Sequence, residues 1–427
     1  MQEMNLDLNI AQLGECKFTS PLKEFDFVRD DEHILYHDEI AEIKSFWEAD
    51  KEPPGFEEAG PREKIFFNPS NLKCGIVTCG GLCPGLNDVI RSIVMILYYK
   101  YGVKNVVGFQ FGYEGLRWAD KLPPINLTPE YASNIHEFGG TILGSSRGSQ
   151  EARFMVDTLE RLNIGILFTI GGDGTLRGAH SIAEEVKRRK LNISIIGIPK
   201  TIDNDISFIQ STFGFETAVS EARRATHTAH IEAKGARNGI GLVKLMGRDS
   251  GFIAGYTTLS DKNVNFCLIP ESPFNLAIFL STLKERIENR GHAVIVVAEG
   301  AGQHLFQSTK DKDASGNIRY GDIGLFLKDE IIKYFKAKNI ELNLKYIDPS
   351  YMIRSLPANA RDSALCLLYG HSAVHAGMAG RTDMVVGFWK NRFTHVPIPL
   401  AVSSRKKIEL NSFLWQSLLA ATGQPRM

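Results

Sequence analysis

From about residue 71 to residue 400 the chain repeats one pattern: a short run of apolar residues, a polar or glycine-rich turn, then apolar residues at helical spacing. The runs are "CGIVTC" (74–79), "NVVGF" (105–109), "IGILFTI" (164–170), "ISIIGI" (193–198), "IGLVKLM" (240–246), "AVIVVAE" (293–299) and "MVVGFW" (384–389). Between them, "LNDVIRSIVMILYYK" (86–100) places Val89, Ile90, Ile93, Val94 and Leu97 at helical intervals, and further helices are predicted near 175–189 and 214–231. A strand that is apolar throughout has no face for water, so such strands belong in mainly parallel sheets covered by helices on both sides. The expected fold class is therefore α/β. A length of 427 residues implies at least two core-forming units. In sheets of this kind ligands gather where strands end.

Composition narrows the partners. Lys+Arg and Asp+Glu each total 49, so the formal net charge is zero and bulk electrostatics favours neither nucleic acid nor a membrane surface. A local cation cluster for a small anion is still allowed. Of the six cysteines, Cys74, Cys79 and Cys83 lie close together but form no C-x-x-C pair, and reduced thiols are expected. The first residues lack a basic start and an apolar core, and no apolar run approaches the ~20 residues of a membrane span, so a cytoplasmic protein is expected. Residues 1–70 are acidic and without sustained periodicity, with "EADKEPPGFEEAGPREK" (48–64) as their centre. They read either as an arm packed on the core or on a neighbouring subunit, or as a partly disordered tail.

Polar clusters follow the strands and glycine turns. "TCGGLCPGLNDVIR" (78–91) has Gly80, Gly81 and Gly85 just before a helix, where free amides can face an anion; a structural turn is the alternative. "GGTILGSSRGS" (139–149) combines glycines and hydroxyls with Arg147, whose fork suits phosphate. "FTIGGDGTLRGA" (168–179) surrounds Asp173 with Gly171, Gly172, Gly174 and Gly178. A carboxylate in a phosphate-cradling loop makes sense if Mg²⁺ bridges the two, because Mg²⁺ takes one or two carboxylates plus phosphate oxygens; Asp173 could otherwise serve as a helix cap.

"IPKTIDNDI" (198–206) crowds Lys200, Thr201, Asp203, Asn204 and Asp205 at a strand end. An extended segment would point Asp203 and Asp205 the same way, whereas a turn would splay them. A carboxylate here can take a proton from a hydroxyl that attacks phosphorus. "KLMGRDSGF" (244–252) offers Met246, Gly247 and the cation Arg248, "VVAEGAG" (296–302) leaves Glu299 at a strand end, and "KYIDPSYMIRSLP" (345–357) adds Lys345, Tyr351 and Arg354.

As an ordered set, "GGLCPGLN", "GGTILGSSR", "GGDGT", "PKTIDND", "MGR", "AEG" and "YMIRS" resemble the 6-phosphofructokinases over residues 71–400. The resemblance implies ATP-dependent phosphorylation of fructose 6-phosphate at its 1-hydroxyl, with Mg²⁺ as cofactor. It implies Asp203 as general base and Asp173 as the Mg²⁺ position. Gly81, Arg147, Gly148, Gly172, Asp173, Gly174 and Thr175 match ATP contacts. Thr201, Ile202, Asp203, Met246, Gly247, Arg248, Glu299, Lys345, Tyr351, Met352, Ile353 and Arg354 match the sugar-phosphate side. Two Rossmann-like lobes are implied, the first 71–215 with 354–400 and the second 216–353, with the active site in the inter-lobe cleft and 401–427 a tail. Sites completed by a neighbour imply a homo-oligomer, with a tetramer expected.

Lys200 is shared with pyrophosphate-dependent relatives, which carry aspartate where Gly174 stands here. An added carboxylate would repel the α-phosphate of a nucleotide, so Gly174 points to ATP and the combination resembles the plant and trypanosomatid branch. Where the family has a second arginine reaching a neighbour's site, this chain aligns Gly239, with Arg237 nearby. Met95 replaces a bacterial effector-site arginine, so bacterial regulation is not expected.

Overall fold

The structure is a computed structural model describing residues 6–23, 25–307, 311 and 318–426. The strands of its two main sheets are, in chain order, β1 (Lys73–Thr78), β2 (Asn105–Phe109), β3 (Ile125–Asn126), β4 (Ile166–Gly171), β5 (Ser194–Pro199), β6 (Gly239–Leu245), β7 (Phe266–Leu268), β8 (His292–Ala298), β9 (Asn343–Ile347), β10 (Met384–Trp389) and β11 (Arg392–Pro397). The helices that matter below are α1 (Leu86–Ile96), α2 (Asp173–Arg188), α3 (Phe215–Lys234), α4 (Phe252–Asp261), α5 (Ala360–Met378) and α6 (Phe413–Thr422).

Two compact units result. The first takes the chain up to Thr201, Ile206–Gly214 and Pro357–Ser404; the second takes Ile202–Asp205, Phe215–Leu356 and the chain from Arg405 on. In the first unit the strand order is β11-β10-β5-β4-β1-β2-β3, with the central strands parallel and β11 and β3 antiparallel at the edges. β4 and β5 are buried at every position, and β1 at every position but its first, as their apolar sequences require. In the second unit the order is β7-β8-β6-β9, all parallel. Register aligns the strand ends. Thr78 pairs with Ile170 and Gly171 with Pro199 in the first sheet, and Leu245 pairs with Ala298 in the second. Polar turns that are far apart in sequence therefore begin side by side.

The segmentation differs from the expected one in three places. Residues 1–70 group with the first unit, the tetrapeptide 202–205 groups with the second although its flanks do not, and the expected tail is no tail. Helix α6 buries Trp415 and Leu418, and Gln424 accepts from the Cys267 amide at 2.6 Å while donating to its carbonyl at 3.2 Å. The N-terminal extension packs on its own unit. Ala11–Gln12 pair with Arg381–Thr382, Phe18–Thr19 with Lys64–Ile65, and His33–Leu35 with Gly55–Glu57.

What holds the extension is a buried ion network. The Glu57 carboxylate accepts from Arg62 and Arg381, each at 2.9 Å, and lies 3.1 Å from His395 Nδ1. Burial opposes the charge on Glu57, but His395 and Arg381 outweigh it and bring its pKa down to about 2. A folded-state value below the ordinary 4.5 stabilises the protein above pH ~4.5, and this contribution is lost as pH falls toward about 2. Converted at ~1.4 kcal/mol per unit, the carboxylate contributes on the order of 3 kcal/mol at neutral pH. Glu57→Gln is expected to lower the unfolding free energy at pH 7 by an amount of this order. The difference from the parent protein should shrink in acid, as read by urea titrations at several pH values.

Candidate active site

The first unit assembles a glycine-lined cradle. Gly80 follows β1 with φ +85°, and its amide donates to the Ser146 carbonyl at 3.1 Å while its own carbonyl accepts from Ser145 Oγ at 2.6 Å. Buried Thr78 donates to the Gly144 carbonyl at 2.7 Å, and Asn87 on α1 bridges the Phe138 carbonyl and the Ile142 amide. The 78–91 and 139–149 clusters are thus zipped into one surface, on which Arg147 and Gly148 are exposed. Arg147 makes no ion pair among the described residues, which leaves its guanidinium available to an anion.

The third cluster joins them through Lys200. Its amide donates to the Gly171 carbonyl at 3.0 Å, and its ammonium, on a residue 5% exposed, donates to the Gly81 carbonyl at 2.7 Å. One lysine therefore ties two glycine turns and places a cation among them. Helix α2 starts at Asp173 behind Gly172, which has no side chain to cap it, and the Thr175 amide turns back onto the Gly172 carbonyl at 2.9 Å, so the helix opens toward the glycine turns with its positive end. The N-cap position falls to Gly172 and not to Asp173, whose carboxylate accepts from Arg177, one turn on, at 3.1 Å. Thr175 is buried with its carbonyl held by the Tyr113 hydroxyl at 2.7 Å. A Cβ on Gly174 would meet nothing within 4 Å, so no protein packing demands glycine there. One half-buried carboxylate at a helix start, with open space at the neighbouring glycine, is a donor set that fits Mg²⁺ carried by a polyphosphate.

The second unit gathers carboxylates and cations. Asn204 adopts φ +53°, a left-handed conformation that asparagine tolerates, so Asp203 and Asp205 sit on a turn and not on an extended segment. The Asp203 carbonyl accepts from Ser250 Oγ at 3.3 Å, and its Oδ1 is shut off from solvent. Burial pushes the Asp203 pKa well above the ordinary value; Asp205, Glu299 and Asp249 push the same way and Arg405 opposes them. The Glu299 amide donates to the Leu245 carbonyl at 2.9 Å, which seats Glu299 beside the 246–250 turn. Burial raises the Glu299 pKa too, against Arg248, Lys244 and Arg354.

Gly247 takes φ +127°, a conformation that favours glycine. Arg248 stacks on the Tyr320 ring at 4.2 Å and donates to the Ile318 carbonyl. Arg354 lies 5.0 Å from the Tyr351 ring, on a single 3₁₀ turn whose Ile353 is buried while Tyr351 and Met352 are 73% and 72% exposed.

Each predicted residue thus falls in one of two sets. Gly81, Arg147, Gly148, Gly172, Asp173, Gly174, Thr175, Lys200 and Thr201 lie in the first unit; Ile202, Asp203, Met246, Gly247, Arg248, Glu299 and 351–354 lie in the second. Lys345 stands apart within its own chain. It is exposed in the middle of edge strand β9, opposite Gly241 and not at a strand end. Several residues escaped the sequence reading. Asp249 and Arg405 join the carboxylate cluster, and Lys244 bridges Asp322 and Asp348 at 2.9 and 2.8 Å. Asp249 adjoined a chosen motif and was legible; Arg405 sat in a short basic run of the supposed tail.

A family model described as phosphofructokinase matches residues 73–377. A Borreliella burgdorferi protein named ATP-dependent 6-phosphofructokinase is 53% identical over 99% of this chain and 97% of its own. Proteins of the same name from Amycolatopsis methanolica (44%, covering 98% and 95%) and Trypanosoma cruzi (45%, covering 97% and 87%) are also similar. Among solved structures, a pyrophosphate-dependent phosphofructokinase from Marinobacter aquaeolei superposes with TM-score 0.68 at 18% identity, covering 82% of this chain and 91% of that one, a likeness of fold alone.

The tightest backbone constraint in the second set is testable without substrate. A Cβ on Gly300 would approach the Arg248 carbonyl to 1.8 Å, an overlap with backbone that no side-chain movement relieves. Gly300→Ala is expected to cost about 1–3 kcal/mol by forcing the 247–250 turn to shift. The loss should appear as a lower melting temperature in calorimetry, while Gly174→Ala, with nothing within 4 Å of the added carbon and no left-handed backbone, should not lower it.

Proposed function

Because the chain belongs to the phosphofructokinase family, we propose that it phosphorylates fructose 6-phosphate at the 1-hydroxyl with ATP as donor, giving fructose 1,6-bisphosphate and ADP. The observation that carries this reading is Asp203, a carboxylate pushed toward higher basicity within a cluster that also offers the cations Arg248 and Arg354 to a sugar phosphate. In the reaction the 1-oxygen bonds to the γ-phosphorus, the bond from that phosphorus to the β,γ-bridging oxygen breaks, and the hydroxyl proton passes to Asp203. Phosphoryl transfer asks the protein mainly for positioning and electrostatics. Gly81, Gly172 and the first turn of α2 supply amides to the donor, Arg147 and Lys200 supply charge, and Thr201 a hydroxyl. Arg248, Glu299 and Arg354 hold the acceptor, with Gly247 shaping their turn. Asp173 would hold Mg²⁺, which when bound neutralises charge on the phosphates.

A second donor, pyrophosphate, is favoured only by Lys200. The open space at Gly174 weighs for ATP, since a carboxylate there would stand near the nucleotide's α-phosphate. A coupled assay with ATP and pyrophosphate at matched concentrations tests this, and turnover with pyrophosphate alone would overturn the ATP reading. We also propose a cytoplasmic homo-oligomer, in line with the tetramer expected above, on the ground that Lys345 is exposed where a neighbour's sugar phosphate could use it. No helix among the described residues is long and apolar enough to cross a membrane.

Two outcomes are expected. Asp203→Asn should lower kcat by ~10² or more with little change in KM for the sugar phosphate, as steady-state kinetics would show. Gly174→Asp should fold, because its Cβ meets nothing within 4 Å, yet lose ATP use. Like charges ~4 Å apart at an effective dielectric of ~20 cost up to about 4 kcal/mol, so kcat/KM for ATP should fall by as much as ~10³-fold.

A further inference from the structure

The last segment of the chain returns to the loop that carries Asp203. The amide of Lys406 donates to the Asp205 carbonyl at 2.9 Å, and the amide of Ile408 donates to Glu271 Oε1 at 2.9 Å. Between these anchors and the preceding Ser404, Arg405 turns its guanidinium onto two carboxylates. Its Nη1 lies 2.7 Å from Asp205 Oδ2 and 3.2 Å from Asp249 Oδ2. The Asp205 side chain is 6% exposed, so this contact is made largely out of water, where a pair holds its geometry and resists salt. Asp249 is held in turn by the Tyr320 hydroxyl at 3.2 Å.

We propose that Arg405 is a positioning residue for the reaction: it links Asp205, two residues beyond Asp203, to Asp249, one residue beyond Arg248, and sets a positive charge into a cluster of four carboxylates. The inference rests on the reading of Asp203 as the base. The groups that face Asp203 are Asp205, Glu299, Asp249 and Arg405, with Lys200 three residues before it in the chain. Three of them are negative and favour the protonated form. Arg405 works against them, so it keeps Asp203 able to accept a proton at neutral pH. It also joins the turn bearing the base to the turn bearing Arg248. In both acts Arg405 works through Asp205 and Asp249, which is why this is positioning and not catalysis.

The experiment compares full-length parent enzyme with Arg405→Gln, Arg405→Lys, Asp249→Asn and Asp203→Asn, following kcat/KM for the sugar phosphate against pH at fixed donor and metal. The base works unprotonated, so activity is lost as pH falls through its pKa. In Arg405→Gln the acid limb should move up by roughly one pH unit, with activity down about tenfold on the acid side of the limb, down less near neutrality and recovering in alkali. Arg405→Lys keeps the charge and should leave the limb in place, whereas Asp249→Asn removes a negative neighbour and should move it down. A purely structural role would lower the plateau without moving the limb. A folded Arg405→Gln with its limb unmoved overturns the inference. Should that variant fail to fold, Asp249→Asn decides: a downward limb supports the cluster and an unmoved one overturns it. Asp203→Asn separates the two readings. If it stays active the base assignment itself falls; if it is inactive while the Arg405→Gln limb stays put, only the role of Arg405 falls.

Discussion

A strand buried on both faces excludes charged side chains and tolerates only hydroxyls that bond internally, as Thr169 does to the Ile196 carbonyl, and this exclusion organises the molecule. The polar residues of a parallel sheet are pushed to its ends, and the register of β1, β4 and β5 brings those ends level. The rest is local: glycines where the backbone must approach a ligand, hydroxyls that bind one turn to the next, and a lysine whose buried ammonium rests on a neighbouring carbonyl. The second sheet repeats the device with Leu245 and Ala298, and there the ends carry acids and arginines. Glycines and hydroxyls thus gather at the ends of one sheet, and acids and arginines at the ends of the other, by the same rule.

The strands were legible because a wholly apolar run is unambiguous once helices flank it. The predicted runs agree with the observed strands to within a residue or two at their ends, and "MVVGFW" coincides with β10. The cradle was legible because phosphate chemistry demands glycine, hydroxyl and cation at a strand end. Other features left no such trace. The pairings of residues 11–65 are two or three residues long and show no alternation, so the acidic composition of that stretch read equally well as arm or tail. Their anchor, Glu57, is conspicuous only once Arg62, Arg381 and His395 converge on it from distant positions. Lys345 was placed with the acceptor residues by family likeness, whereas its strand register sets it away from them within one chain. Arg405 belonged to a basic run that, by pattern alone, reads as solvated surface.

The acceptor side also shows why its charges need one another. Four carboxylates in one cluster repel, and burial makes each ionisation harder. Arginines from three separate segments, at 248, 354 and 405, temper that repulsion, so the basicity of Asp203 belongs to the assembly and not to the aspartate alone. The turn at Asn204 adds to this by splaying the two aspartates of "IDND". One, Asp205, is engaged by Arg405 at 2.7 Å, and the other, Asp203, is buried among the remaining carboxylates.

The path of the chain has a consequence of its own. Six alternating segments build the two units, so the backbone passes from one to the other five times, once for a stretch of only four residues. Neither unit is a cassette. No single cut releases either one whole, and a gene fragment encoding one would omit pieces of it. Exchange of modules between genes, a common source of new enzyme specificities, is therefore closed to this architecture, and new substrates must be reached by point changes and loop insertions within a single reading frame.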